Sequence, residues 1–319
     1  MTPFDDKLKE ECGVFGIFNS KEAAVNVALG LHALQHRGQE AAGIVSCDNG
    51  SFAVHFADGL VGDNFNSAEI VSKLKGDIAI GHVRYSTAGK KTARNYQPIF
   101  AEFSFGCLAI AHNGNLTNAN TLRKSLIERG SIFQSSMDTE VIIHLIALSQ
   151  KNDLIDKIID AVSQIEGAYS LAIMHKDGLI AIRDPHGVRP LVLGKIGDAD
   201  VIASETCALD IIGAKFVRDI KNGEVVIINK GGIETIEPFK SAPSNSVFLN
   251  ISILPAQIAY WKEKVFIRCA KILVLSLRKR QISRLMLSFQ FQILECQRRL
   301  DMHSNLKFLL NLALSEITM

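Results

Sequence analysis

The sequence predicts an α+β protein, with layered antiparallel sheets and helices packed on them. Three features predict it. Short apolar runs bounded by Gly, Asn and Asp recur between residues 12 and 240, helical stretches fall between groups of strands rather than after each one, and this pattern ends abruptly near residue 240. The strand-like runs are residues 13–18, 43–46, 78–82, 108–112 and 169–174. Helices fit residues 22–35, 118–129, 138–148 and 154–165, the third opened by Asp138 as an N-cap with Glu140 in its first turn.

The 319 residues suffice for two ordinary domains or one large one with an appendage. Basic and acidic residues nearly balance at 35 against 33, so no global field favours nucleic acid or a membrane over a neutral solute. Small-molecule chemistry is the expectation. Cys12, Cys47, Cys107, Cys207, Cys269 and Cys296 form no CxxC pair and follow no secretory leader, which points to a reducing, cytoplasmic setting. All 23 glycines lie at or before Gly232. Residues 241–319 instead carry eleven Lys or Arg against four Asp or Glu, with the single Trp261 and no clean periodicity. They read as a poorly defined tail.

Cysteine attacks as a thiolate, and at a chain start its own α-amine, with a pKa of about 7.7 to 8.0, can serve as base. KEECGVFGIF places Cys12 behind a charged leader and directly before an apolar strand, a rigid edge for such a nucleophile. A free cysteine opening a core strand is the plainer alternative. Four further segments are rich in residue types that cores avoid: QHRGQEAAGI (35–44), GHVRYSTAG (81–89), AHNGNL (111–116) and SSMDTE (135–140). Together they describe a polar pocket. The planar fork of Arg84 suits an amino-acid carboxylate, unless it is a surface strand residue. Asp138 suits an α-ammonium or a helix cap. Asn113 and Gly114 suit an oxyanion, or simply a hairpin turn. Gly38 and Gly43 permit close backbone approach. His32 and His36 share a helix face but lack the carboxylate partner of a metal motif, so no metal is expected.

ECGVFGIF, ALQHRGQEAAGIV, GHVRYSTAG, NYQPI, AHNGNL, GSIFQSSMDTEV, EGAYSLAIM, DPHGVRPL and SETCALD, in this order, resemble the glutaminase domain of the amidophosphoribosyltransferase family. The resemblance implies a four-layer αββα sandwich of the N-terminal-nucleophile hydrolase kind. It implies that residues 1–11 are a propeptide whose removal frees Cys12, and that residues 12–240 form a class II glutamine amidotransferase domain. Arg84 and Asp138 then bind the α-groups of glutamine, and Asn113 and Gly114 form the oxyanion hole. Arg37, Gly38 and Tyr85, from the same segments, are taken as further substrate contacts. In the family, ammonia converts phosphoribosyl pyrophosphate to 5-phosphoribosylamine in purine biosynthesis.

The family's transferase half uses Mg2+ with phosphoribosyl pyrophosphate, and some members hold a 4Fe-4S cluster. Residues 241–319 match neither the transferase motifs nor the cluster cysteines, so no cofactor is expected on this chain, and phosphoribosyl pyrophosphate is a partner only where a transferase domain is present. These residues read as an aberrant or frameshifted tail in place of that domain. Glutamine is the expected partner, without nucleic acid or membrane, and family members are homo-oligomers. A stand-alone glutaminase or an inactive truncated fragment is the alternative.

Overall fold

Every residue of β1 (Gly13–Phe18) is buried, so the strand needs cover on both faces and a hydrogen-bonded neighbour on each edge. The computed structural model describes residues 12–65, 68–85 and 93–239, and supplies both. The expected propeptide, the tail 241–319 and residues 86–89 of GHVRYSTAG lie outside the described residues. β1 pairs antiparallel with β4 (Ile78–Arg84) on one edge and β10 (Ala199–Ala203) on the other. β2 (Ala41–Asp48) and β3 (Ser51–Asp58) extend the sheet beyond β4, while β9 (Val192–Ile196) and β11 (Lys215–Asp219) extend it beyond β10.

A second antiparallel sheet runs in the order β13 (Gly232–Ile236), β12 (Val225–Asn229), β8 (Gly178–Arg183), β7 (Gly167–His175), β6 (Gly106–Leu116), β5 (Ile99–Phe103). Side chains alternate between the faces of each strand, and this sorts the core into three apolar layers. Val14, Phe18, Val45 and Ile80 meet Ala109, Ala111, Ala172 and Ala181 between the sheets. Ala111, Ala172 and Ala181 stand opposite one another across β6, β7 and β8, a row of small residues on the second sheet's inner face.

On the outer face of the first sheet, Phe15 and Ile17 pack against α1 (Ala23–Ala33) and α7 (Cys207–Ile211), with the short helices α2 (Val61–Asn64) and α3 (Ala68–Lys73) beside them. On the outer face of the second, Leu171, Ile173 and Ile182 pack against α4 (Ala119–Glu128), α5 (Thr139–Leu148) and α6 (Leu154–Val162). The result is an αββα sandwich. Among the described residues, no helix is long and apolar enough to cross a membrane.

The expected helix over 22–35 stops at Ala33, and Gln35, His36 and Arg37 form a separate 3-10 turn. His32 and His36 therefore do not share one regular helix. Gly30, inside α1, faces the Phe15 ring so closely that an added Cβ would lie 2.4 Å from it. In an isolated helix Gly30→Ala gains roughly 1 kcal/mol. Here overpacking costs roughly 1 to 3 kcal/mol, and collision with ring carbons places this site toward the upper end. The variant is expected to have a lower chemical-denaturation midpoint than the parent, and an equal or higher one would contradict this packing.

Candidate functional site

The same alternation that fills the slot between the sheets with apolar groups puts polar ones at one end of it. In β4, Ile78 and Ile80 are followed on that face by His82 and Arg84; in β6, Ala109 and Ala111 are followed by Asn113; in β7, Met174 and Ala172 give way to Ser170. All four polar residues are buried. β1 brings the nucleophile candidate to the same end. Its register pairs Gly13 with Val83, so the next step places Cys12 beside Arg84. The ladder stops there because Cys12 takes φ +63°, a left-handed conformation that costs a non-glycine residue on the order of 1 to 2 kcal/mol.

Residue 12 is gripped from both sides by Arg37. The Cys12 backbone N–H donates to the Arg37 carbonyl at 2.9 Å, and the Arg37 Nε–H donates to the Cys12 carbonyl at 2.7 Å. Cys12 Sγ lies 3.7 Å from the Tyr85 carbonyl oxygen. Arg37 is wholly buried, so its charge needs an anion, and Glu205 supplies one through an ion pair to its guanidinium. Burial pushes the Glu205 carboxyl up, but His36 and Arg37 together outweigh it and hold the group near about 2. His36 presents Nε2 to Glu205 at 3.2 Å and Nδ1 to the Ala33 carbonyl at 3.0 Å, and the Glu205 bond raises its pKa. With acceptors at both nitrogens, the doubly protonated ring fits best.

Among the described residues, His36, Glu205 and Cys207 are the one group with metal-ligand spacing, their donor atoms within 4.8 Å of one another. Glu205 is already neutralised by Arg37, and burial together with Glu205 pushes the Cys207 thiol up to about 12. The cluster is an ion-pair network rather than a ligand set.

Arg84 differs from Arg37. It is equally at home below the surface, 9% exposed, yet among the described residues no carboxylate pairs with its guanidinium. Gly38 packs against the Arg84 backbone, where a Cβ would come within 2.6 Å, so this glycine is required by chain against chain. Gly43 lies inside β2, and a Cβ there would meet the Gln97 carbonyl oxygen at 2.2 Å. The Tyr85 side chain stands at the rim, partly exposed.

Asn113 and Gly114 form no hairpin turn. Both lie within β6, paired with Ser170 and Tyr169 of β7. The strand continues through Gly114 because its φ of +153° and its approach to the Ala168 carbonyl, 2.0 Å from an added Cβ, admit only glycine. The Asn113 carboxamide is fully buried, and among the described residues neither its nitrogen nor its oxygen has a hydrogen-bond partner. A buried polar group left so costs about 1 to 3 kcal/mol, which marks it for function.

Asp138 holds the N-cap position of α5 but caps nothing, because its own φ and ψ of −67° and −31° are already helical and turn the side chain away from the first-turn N–H groups. It accepts instead from the Leu116 N–H at 3.0 Å and faces His112 Nδ1 at 3.5 Å. Burial pushes this carboxyl up, yet His112 and the Leu116 N–H prevail and hold it near about 2. Glu140 binds the backbone N–H groups of Gln134 and Ser135, fixing the loop ahead of Asp138.

His112 and His82 escaped the sequence reading. His112 neighbours Asn113 but faces the helices, where it meets Asp138 and Thr139; its carbonyl accepts from His82 Nε2 at 3.1 Å and its N–H donates to Gln97 Oε1 at 2.6 Å. Burial pushes His82 down to about 3, so it is neutral with its proton on Nε2. The chain His82, His112, Asp138 links both sheets to α5.

A family model for a glutamine amidotransferase domain matches residues 82–210. The amidophosphoribosyltransferase of Rhizobium etli is 56% identical over 226 residues, which are 70% of this chain and 46% of that protein. The solved glutamine phosphoribosylpyrophosphate amidotransferase of Bacillus subtilis is 47% identical with a TM-score of 0.68, over 72% of this chain and 49% of that one. A structure described as the allosteric regulatory enzyme of purine biosynthesis is 48% identical with a TM-score of 0.69, over the same shares. The chain spans about half the length of the curated relatives it matches. The chain is thus similar over residues 82–210 to a glutamine amidotransferase domain, and over about 70% of its length to amidophosphoribosyltransferases.

Proposed function

We propose that this chain hydrolyses glutamine through a Cys12 thioester, as the ammonia-supplying half of a purine-pathway amidotransferase. The observation that carries this reading is the contrast between the two buried arginines. Arg37 is spent on Cys12 and Glu205, whereas the guanidinium of Arg84, which lies beside the nucleophile, pairs with no carboxylate among the described residues. A buried guanidinium held so is suited to a substrate carboxylate. Asp138, kept ionised, is suited to the α-ammonium of the same amino acid.

Removal of residues 1–11 turns the Cys12 nitrogen into an α-amine on the Arg37 carbonyl. That amine takes the thiol proton, and the sulfur attacks the carboxamide carbon of glutamine. Negative charge on the carboxamide oxygen meets the Asn113 amide N–H and the Gly114 backbone N–H. The amine returns its proton to the leaving nitrogen, ammonia departs, and water hydrolyses the γ-glutamyl thioester to glutamate and free thiol. Conversion of phosphoribosyl pyrophosphate to phosphoribosylamine requires a transferase half, and the glutaminase step is the part assigned to these residues.

Cys12→Ala is expected to abolish ammonia release, and parent-rate turnover by that variant would defeat the reading. Asn113→Ala is expected to lower kcat roughly a hundredfold to a thousandfold with little change in KM, as for loss of an oxyanion donor. A steady-state assay of released ammonia separates the two parameters.

The Asp138 carboxyl is depressed from its ordinary value to about 2. Its contribution to stability is thus present above pH about 4 and lost as pH falls toward 2. Asp138→Asn is expected to raise the KM for glutamine and to flatten the acid dependence of the unfolding midpoint between pH about 4 and 2. An acid titration as steep in the variant as in the parent would refute that assignment.

A further inference from the structure

We propose that Glu205 is a positioning residue for the nucleophile, acting through Arg37. This rests on the reading of Cys12 as an N-terminal nucleophile. SETCALD, which carries Glu205, is otherwise without a task in the reaction. Glu205 lies 168 residues from Arg37 in the chain, just beyond the end of β10. β10 is the strand that pairs with β1 on the edge opposite β4. One end of this contact is therefore set by a strand that flanks the nucleophile's own, and the other by the 3-10 turn after α1.

Both carboxylate oxygens are engaged, with His36 Nε2 also 3.4 Å from Oε1. Oε1 takes the Arg37 guanidinium, and Oε2 takes the His36 ring at 3.2 Å and faces the Cys207 thiol at 3.6 Å. His36 is half exposed and Glu205 is buried, so the network runs from solvent to the nucleophile in one line: His36, Glu205, Arg37, Cys12. Arg37 is a long side chain with about 2 kcal/mol of rotamer entropy, and an anion at its far end is what holds it in the one rotamer that reaches the Cys12 carbonyl. Its own carbonyl, fixed by the 3-10 turn, holds the Cys12 nitrogen. Glu205 also sets the local charge. Without it the Arg37 cation loses this carboxylate and disfavours the ammonium form of the residue-12 amine more strongly. The amine then loses its proton at lower pH and is a weaker base toward the thiol.

Glu205→Gln keeps the size of the side chain and an acceptor but removes the charge. Relative to the parent, kcat for glutamine hydrolysis is expected to fall at least tenfold while KM stays within about twofold, because Arg84 and Asp138 are untouched. The acid limb of kcat/KM is expected to move down by roughly half a pH unit. Glu205→Asp keeps the charge and withdraws it, so it should lower kcat yet leave the acid limb at the parent position. Parent kcat and an unmoved limb in Glu205→Gln would overturn the proposal, as would losses in both variants that merely track the folded fraction in thermal melts. If Glu205→Gln does not fold, Glu205→Asp decides alone, and a parental kcat per folded molecule sinks the idea.

A parent chain that releases no ammonia defeats the functional reading instead. Glu205 is then tested by capture of Cys12 with iodoacetamide across pH, read by peptide mass. A lower pH midpoint in Glu205→Gln supports its coupling to residue 12, and an equal midpoint overturns it.

Discussion

A strand buried on both faces is the constraint from which the fold follows. The six residues of β1 leave no surface to water, so one face must meet a second sheet and the other a helix. Phe15 and Ile17 answer to α1, and Val14 and Phe18 to the opposing sheet. Hydrogen bonding to β4 and β10 on the two edges then fixes the strand along its length, and with it the position of whatever precedes Gly13. A nucleophile placed there inherits the rigidity of a central strand, which a loop could not give it. Between the sheets, the alanine row on the second sheet faces Val14, Phe18, Val45 and Ile80 of the first. Apolar side chains line the middle of the slot, and polar ones are gathered at its end.

At that end the protein tolerates several local costs together. A buried guanidinium, a carboxamide with no partner among the described residues, a neutral buried imidazole and a left-handed cysteine come together on facing strands of the two sheets. Each is unfavourable by an amount that would matter to a marginally stable domain. They differ in how they are offset. Arg37 is paired with Glu205, and His82 Nε2 with the His112 carbonyl, although His82 Nδ1 is a buried atom without a partner among the described residues. Among the described residues no carboxylate pairs with Arg84 and no group with the Asn113 carboxamide, and these two face the same slot. The division separates residues that hold the frame from residues suited to hold a substrate.

Much of this was legible in the sequence because burial patterns are local. β1 was read with its observed bounds, since GVFGIF is apolar throughout and flanked by polar residues on both sides. β6 ran four residues past its expected end, through Asn113 and Gly114, because pairing with β7 overrode the usual meaning of Asn-Gly. Asp138 was placed at the start of its helix, but its partner was not foreseen. The Leu116 N–H that it takes belongs to a strand end 22 residues earlier. Glu205 and His82 were missed for the same reason, since neither the Arg37 contact nor the His112 contact leaves a trace in the neighbouring residues.

The hidden contacts have one property in common: each joins two layers. Glu205 ties the segment after β10 to the turn after α1, His82 ties the first sheet to the second, and Asp138 ties the second sheet to α5. Apolar layers specify that sheets and helices stack but say little about sliding of one layer over another, because dispersion and burial are nearly indifferent to small shifts. Hydrogen bonds and ion pairs are directional and lose their strength over such shifts. Polar contacts between layers therefore set the alignment that the apolar core leaves loose. They cluster at the end of the slot because that is where a misplacement of the strands by an ångström would separate Cys12 from Asn113 and Arg84.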